Sequence, residues 1–395
     1  MIFSVSAPVT SQTIELVEAA SNQDLSMVET LLSQGSNVNS RRADGVTALL
    51  WAAHWDDLEM ARLLLDSGAD VNATDDHGVS PLERAAENAS VSMVNMLIAA
   101  GARANISQES GLTPLMTAAR TGNTEIVKTL IANGAEVNAT TNETGGTALM
   151  WAISAPHPKI VSLLLENEAD PTVSTFKGFT PLMFAARNGD IELGEILITA
   201  GVNVNQISAD GTHVLPFSIV SGQVEFALFL LGEGADPNGT MGGVPALHAA
   251  AGGVGQWLGD WYRRHGRGEY GGFGGSFRML GQRLPIVKAL LEKGANPNSR
   301  ITTSAMLMTY IGYPKKGAFE TFSPGTGDLR GATPLWVAAY DMNGAFSQQF
   351  SVAPSFSTSS TDIMLELLNA GADLTLTTDD GTTPLMAAAG LGPFT

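Results

Sequence analysis

Residue types that do covalent or metal chemistry are thin in this chain. Its 395 residues include no cysteine, which removes disulfides, thiolate nucleophiles and cysteine-ligated zinc. The six histidines, His54, His77, His157, His213, His248 and His265, stand at no metal-ligand spacing. His77 follows Asp75 and Asp76 at what reads as a turn tip, where Asp favours the local bend. No glycine-rich loop ends in Gly-Lys-Ser/Thr. The run Gly271-Gly272-Phe273-Gly274-Gly275 follows no strand and opens no helix, so a dinucleotide reading fails on context. Without a convergent acid, base and pocket, the chain is expected not to be an enzyme and to hold no metal or cofactor.

Chemistry suited to recognition is denser. The stretch 252–283, GGVGQWLGDWYRRHGRGEYGGFGGSFRMLGQR, sets Arg263, Arg264, Arg267, Arg278 and Arg283 against Asp260 and Glu269. It is therefore net +3 inside a chain of net charge −18. Trp257, Trp261, Tyr262, Tyr270, Phe273 and Phe277 are interleaved with glycine there. Arg and aromatics dominate binding hot spots. They also suit an anionic ligand or single-stranded nucleic acid, through stacking plus charge. The other reading is that the aromatics fold down on the body of the protein and the arginines answer its acidic surface. Segment QWLGDWYRRH has the makings of a short helix.

The acidic balance and a pI near 4.6 argue against nucleic acid as the main partner, because phosphate binding needs a basic footprint. A basic protein or peptide would suit the field better; a merely solubilising acidic surface is the alternative. No apolar run is long enough to cross a membrane. The first residues, MIFSVSAPVTSQ, lack a basic region, yet Val5-Ser6-Ala7 has the look of the end of a secretory signal, with Pro8 speaking against cleavage. The compartment is thus open between cytoplasm and, for a truncated export signal, periplasm.

The elements that must position these residues are repeated. In Gly111 to Asn138, GLTPLMTAARTGNTEIVKTLIANGAEVN, Thr113 suits an N-cap, Pro114 a first turn, and Gly122 a break. Ile126, Val127, Leu130 and Ile131 recur at helical spacing, and Gly134 sits where a helix end takes a left-handed residue. Neither short helix buries its apolar face alone, so the unit needs copies of itself. The opening glycine recurs at Gly45, Gly78, Gly111, Gly145, Gly178, Gly211 and Gly243, in steps of 33, 33, 34, 33, 33 and 32. The closing glycine recurs at Gly35, Gly68, Gly101, Gly134, Gly201 and Gly234, with Glu168 in the missing place.

A period of 33 with two helices and a turn resembles the ankyrin-repeat family, in the manner of a bacterial-type array with large inserts in its C-terminal repeats. The motif appears as GVTALLWAAHWD, GVSPLERAAENA, GLTPLMTAARTG, GFTPLMFAARNG, GATPLWVAAYDM and GTTPLMAAAGLG. The resemblance implies an all-α solenoid of helix-turn-helix units with projecting hairpin loops, here called fingers. It implies a binding role, with partners held in the groove between finger tips and first helices. The family's usual His after Thr-Pro-Leu is replaced by Leu50, Glu83, Met116, Met150, Met183, Trp336 and Met386, and only His248 matches. First helices should then be held more by packing than by the hydrogen bonds that His ordinarily makes.

The chain reads as one solenoid over 1–395: a partial first repeat at 14–39, regular repeats over 45–251, insert-bearing repeats over 243–375 and an incomplete last repeat at 381–395. The spacing of glycines gives 28 extra residues within the 32-residue stretch 252–283, 27 in the finger that follows Gly294, and 17 between Tyr340 and Thr361. Long loops in a regular array often carry function. An uncapped last helix suggests that the array continues past Thr395. The expected function is a monomeric, non-catalytic scaffold binding a protein through the groove and the inserts. Two alternatives are the ankyrin portion of a longer enzyme or electron carrier, and an anionic-ligand or nucleic-acid site in 252–283. Expected partner-binding residues are Trp55, Arg120, Phe176, Phe179 and Arg187 from the family's groove, and Trp257, Trp261, Tyr262, Arg263 and Arg264 from the insert. Trp55, Phe176 and Phe179 are large apolar residues where polar ones would suffice; packing against a neighbouring finger is their other reading.

Overall fold

A computed structural model describes residues 9–255, 257–265, 283–303, 330–342 and 358–389. The second and third inserts, and Arg267, Tyr270, Phe273, Phe277 and Arg278 of the first, lie outside these residues. Among the described residues, twenty helices and one hairpin of two-residue strands make an all-α, ankyrin-type fold. The chain divides into two compact units, Met1–Phe176 and Lys177–Thr395.

The first unit holds five helix pairs: α1 (Val9–Ser21) and α2 (Leu25–Ser33), α3 (Ala48–His54) and α4 (Leu58–Asp66), α5 (Pro81–Glu87) and α6 (Val91–Ala99), α7 (Pro114–Thr121) and α8 (Thr124–Ala132), α9 (Ala148–Ser154) and α10 (Pro158–Glu166). The second begins with α11 (Pro181–Asn188) and α12 (Ile191–Thr199), then α13 (Val214–Val220) and α14 (Val224–Gly232). A finger hairpin follows, β1 (Thr240–Met241) with β2 (Val244–Pro245), leading into α15 (Ala246–Ala251). Helix α16 (Gly259–His265) stands inside the first insert, before α17 (Arg283–Glu292), α18 (Pro334–Met342), α19 (Thr358–Asn369) and α20 (Pro384–Ala388).

Many helix starts are fixed by a side-chain cap. Thr47, Ser80, Thr113, Thr147, Thr180 and Thr383 each accept a hydrogen bond from the backbone N–H three residues on, satisfying a donor that the first turn leaves open. Second helices use Asp57, Ser90, Asn123 and Asp190 in the same way. Neighbouring repeats then bury what one repeat leaves bare. Within the first unit α1, α3, α5, α7 and α9 pack in sequence, as do α2, α4, α6, α8 and α10. Small residues let the first helices close up: Ala52, Ala53, Ala85, Ala86, Ala118 and Ala119 have no exposed surface.

Polar stitches run along the other edge. Asn72 Nδ2 donates to Gly101 O at 3.1 Å while its Oδ1 accepts from Arg103 N at 2.8 Å, so one amide ties two repeats. Asn39, Asn105 and Asn138 repeat the bond pair in the first unit, and Asn205, Asn238 and Asn298 in the second. Fingers are joined by single backbone bonds, such as Asp76 N to Asp44 O at 3.0 Å and Glu109 N to His77 O at 3.1 Å.

Replacement of the family's His by apolar groups works as expected. Leu50, Met116, Met150, Met183 and Trp336 are buried. His248, wholly buried, keeps the bond, its Nε2 lying 2.9 Å from Ala332 O in the next repeat. Since a carbonyl only accepts, Nε2 carries the proton. Desolvation pushes this imidazole down to about 4, against a pull upward from its backbone bonds.

Candidate functional site

In the first unit, the first helices carry partly exposed aromatics and the finger tips carry exposed carboxylates. The residue one place beyond the His register is Trp51, Arg84 and Trp151 in three of the repeats, all half-buried. Trp51 stacks on Trp55 with centroids 6.1 Å apart and planes 16° from parallel, and His54 meets both rings edge-on. Trp55 remains 43% exposed, held by its Nε1–H donating to Ser21 O at 3.2 Å. The Arg42 guanidinium lies 5.6 Å from the Trp51 centroid, and that of exposed Arg120 lies 5.7 Å from Trp151. Such placements favour a cation over the electron-rich ring face.

Four consecutive finger tips each carry an exposed carboxylate: Asp44, Asp76, Glu109 and Glu143. Asp44 is answered by Arg42 at 2.5 Å, and chiefly that hydrogen bond brings its carboxyl down to about 2. Glu87 is likewise paired, with Arg84, at 2.7 Å. Across residues 1–176 there are 21 Asp and Glu against 8 Lys and Arg, a net −13. Residues 177–395 carry 18 against 13, a net −5. Most of the chain's negative charge therefore belongs to the first unit.

Glu83 is a residue whose role composition did not reveal. It occupies the His register, is 4% exposed, and accepts a hydrogen bond from the Thr117 hydroxyl at Oε1. Its Oε2 has no hydrogen-bond partner among the described residues. Desolvation raises its carboxyl to about 7, opposed by the Thr117 bond and reinforced by Glu87. The sequence signal was available, since a carboxylate in a register otherwise filled by Leu, Met and Trp must be buried.

The expected site residues part company. Phe176 is 70% exposed and lies over Gly145 of the neighbouring finger. Arg187 is half-buried, its guanidinium 5.2 Å from the Phe184 centroid. Phe179, Trp257 and Trp261 are 2%, 1% and 2% exposed. These three do not meet the expectation of being presented to a partner; they pack inward. Tyr262 is half-buried, and burial raises its hydroxyl above the usual range. Arg263 and Arg264 face solvent, with Arg263 paired to Asp260 one turn earlier. Arg283, 5% exposed, binds Asp341 at 2.6 Å and so is not part of an open basic surface. Among the described residues of the insert, Trp257 and Trp261 turn inward, Arg263 and Arg264 outward, and Arg283 is buried against Asp341.

The family profile for ankyrin repeats in three copies matches residues 16–108, 85–175 and 171–241, more than half of the chain. The chain belongs to the ankyrin-repeat family. Among curated relatives, a glycerophosphocholine phosphodiesterase of Schizosaccharomyces pombe is 32% identical over 92 residues, 23% of this chain and 8% of that protein. A putative ankyrin repeat protein of Acanthamoeba polyphaga mimivirus is 27% identical over 96 residues, 24% of this chain and 12% of that protein. The matches thus span a small part of those relatives' length. A crystal structure of the human ASB11 ankyrin repeat domain aligns over 51% of this chain and 89% of that one, at 32% identity and a TM-score of 0.46. Ankyrin repeats are a protein-interaction module, and among the described residues no helix is long and apolar enough to cross a membrane.

Proposed function

We propose that this protein is a non-catalytic scaffold whose first unit docks a basic segment of a protein partner. The observation that carries the reading is the row of exposed carboxylates at Asp76, Glu109 and Glu143 on consecutive fingers, in the unit whose first-helix segments carry half-buried Trp51 and Trp151 and exposed Trp55. Lys or Arg side chains of a bound segment would meet the carboxylates with their heads and the indoles with their stems or guanidinium planes. Because the indoles are held by backbone and packing contacts, little conformational entropy is lost on binding. A standard-sized interface of about 1,600 Å² in total is the scale expected of a specific complex.

Fluorescence anisotropy with labelled Lys/Arg-rich, neutral and acidic peptides tests this. The basic peptides should bind, and the triple change Asp76→Asn, Glu109→Gln, Glu143→Gln should weaken them at least tenfold. Trp55→Ala should weaken them further. Equal binding of acidic and basic peptides would end the reading.

A second reading is favoured by the phosphodiesterase match: the array is the interaction portion of a longer enzyme. The aligned share of that relative is too small to bring its activity to this chain. Sequencing the complete reading frame tests it.

A further inference from the structure

The segment 257–265 of the first insert is folded as a ligand of its own repeats. Trp261 and His265 stand four residues apart on one face of α16, and Trp257, four residues earlier, lies in the turn that leads into it. Together they reach three repeats of the second unit, with Trp261 and His265 sharing Phe179. Trp257 meets Trp336 of α18 edge-on, centroids 6.2 Å apart. Trp261 packs against Phe217 of α13 at 6.1 Å and Phe179 at 6.0 Å, and its Nε1–H donates to Thr212 Oγ1 at 2.9 Å. His265 stacks on Trp261 at 4.1 Å and 14° and meets Phe179 edge-on at 5.5 Å. Its Nε2 lies 3.2 Å from Asp210 Oδ2, an ion-pair distance rather than a well-aligned hydrogen bond. Burial works to raise the Asp210 carboxyl, but bonds from Ser208 and Thr212, with the His265 ring, hold it below the usual range. The cleft beneath Trp261 and His265 has no room left for a water molecule.

The same register shows the occupancy at Phe217. In the first unit Trp51, Arg84 and Trp151 are half-buried and Thr117 is 1% exposed; in the second Phe184 is half-buried, while Phe217, which Trp261 meets, is 1% exposed. The base of the insert is clasped by one carboxylate. Gly253 N donates to Asp341 Oδ1 at 3.2 Å, and Arg283 Nη1 to Oδ2 at 2.6 Å. The finger beneath is cut away to match. Gly242, at φ 55°, sits where an added Cβ would be 3.3 Å from Trp261 Cβ.

We propose that this face of the second unit is a receptor for a short turn-and-helix segment bearing indole, indole and imidazole at four-residue spacing, and that the chain's own 257–265 fills it in cis. Helix-in-groove recognition reads such anchors through pockets. Tethering raises the local concentration of the cis segment to about the millimolar range, so it excludes a free segment of similar chemistry. The second unit is therefore closed to that class of partner until the segment leaves. This inference does not depend on the basic-partner reading of the first unit.

The probe is a fluorescein-labelled peptide of residues 254–266. The receptor is the full chain with 254–282 replaced by a four-residue Gly-Ser turn, its helicity checked by circular dichroism. The peptide should bind this variant with micromolar affinity and bind the intact chain at least 50-fold more weakly. A peptide carrying Trp261→Ala should fail. No binding to a folded variant, or equal binding to variant and intact chain, overturns the proposal. Should the replacement not fold, Trp261→Ala with Asp210→Asn in the intact chain gives the same decision. Tryptic cleavage after Arg263 and Arg264 should quicken at least tenfold, and an unchanged rate overturns the proposal.

Discussion

Glu83 and His248 stand in one register and respond to pH in opposite senses. The Glu83 carboxyl titrates near 4.5 when the chain is unfolded and at about 7 when folded. The folded state therefore holds the extra proton across that window. Its stabilising effect is complete below about pH 4.5, is lost as pH rises to 7, and is flat above. A shift of this size corresponds to about 3 kcal/mol. Glu83→Gln should thus leave stability near pH 5 little changed and raise it by about 1–3 kcal/mol at pH 8, as read from urea midpoints. His248 runs the other way, from 6.5 unfolded to about 4 folded. There the unfolded state binds more protons, so its contribution is full above pH 6.5 and is lost as pH falls towards 4. Hydrogen exchange should show α15 loosening between pH 6.5 and 4. Protection there that does not fall across that range would contradict this assignment. A third residue, Glu168, stands in the closing-glycine place with φ 65°, where Gly134 has φ 82°. A left-handed backbone costs a non-glycine residue about 1–2 kcal/mol. Glu168→Gly should raise stability by about 1 kcal/mol, and a lowered midpoint would show that the side chain offsets the strain.

At the scale of elements, repeats hold together through alanine-lined first helices and the asparagine stitches. Asn105 Nδ2 donates to Gly134 O at 2.7 Å and its Oδ1 accepts from Glu136 N at 2.6 Å. Asn105→Ala removes both bonds, though water reaches the exposed partners. A cost of about 1–2 kcal/mol is expected, with exchange rising first at the turn after α8. Thr172 stands in this register without an amide and bonds Asp170 Oδ1 at 2.6 Å. His213 shows another exchange of roles. Having no side-chain cap bond to α13, it accepts from Thr240 N at Nδ1, 3.1 Å, while its own N–H donates to Thr240 O at 2.9 Å. The cap is given up for a link to the next finger.

At the scale of the whole molecule, the fold was written plainly in the sequence because glycine, Thr-Pro and apolar spacing recur with one period. Even the Glu168 exception and the short helix in QWLGDWYRRH were legible, since each follows from local backbone demands. The candidate sites were not equally legible. Trp55 and Phe176 do lie at the surface, but Phe179 was read as a tip residue and is buried, because what covers it is α16, some 80 residues later in the chain. Local pattern reports which face a residue takes on its own element. It does not report that an insert returns to cover that face. Trp257 and Trp261 follow the reading in which the insert's aromatics fold down on the body of the protein, which local pattern could not choose over an outward hot spot. Charge asymmetry between 1–176 and 177–395, by contrast, needed only counting once the two units were known.

The central claim is that a basic partner docks on the acidic, aromatic face of the first unit. The most direct measurement is photo-cross-linking of a benzophenone-labelled Lys/Arg-rich peptide to the intact chain, with the sites read by mass spectrometry. The account predicts cross-links between residues 42 and 151, clustered around Trp51, Trp55 and Trp151 and fading as salt screens the carboxylates. Cross-links confined to residues 177–395, or insensitive to salt, would contradict it.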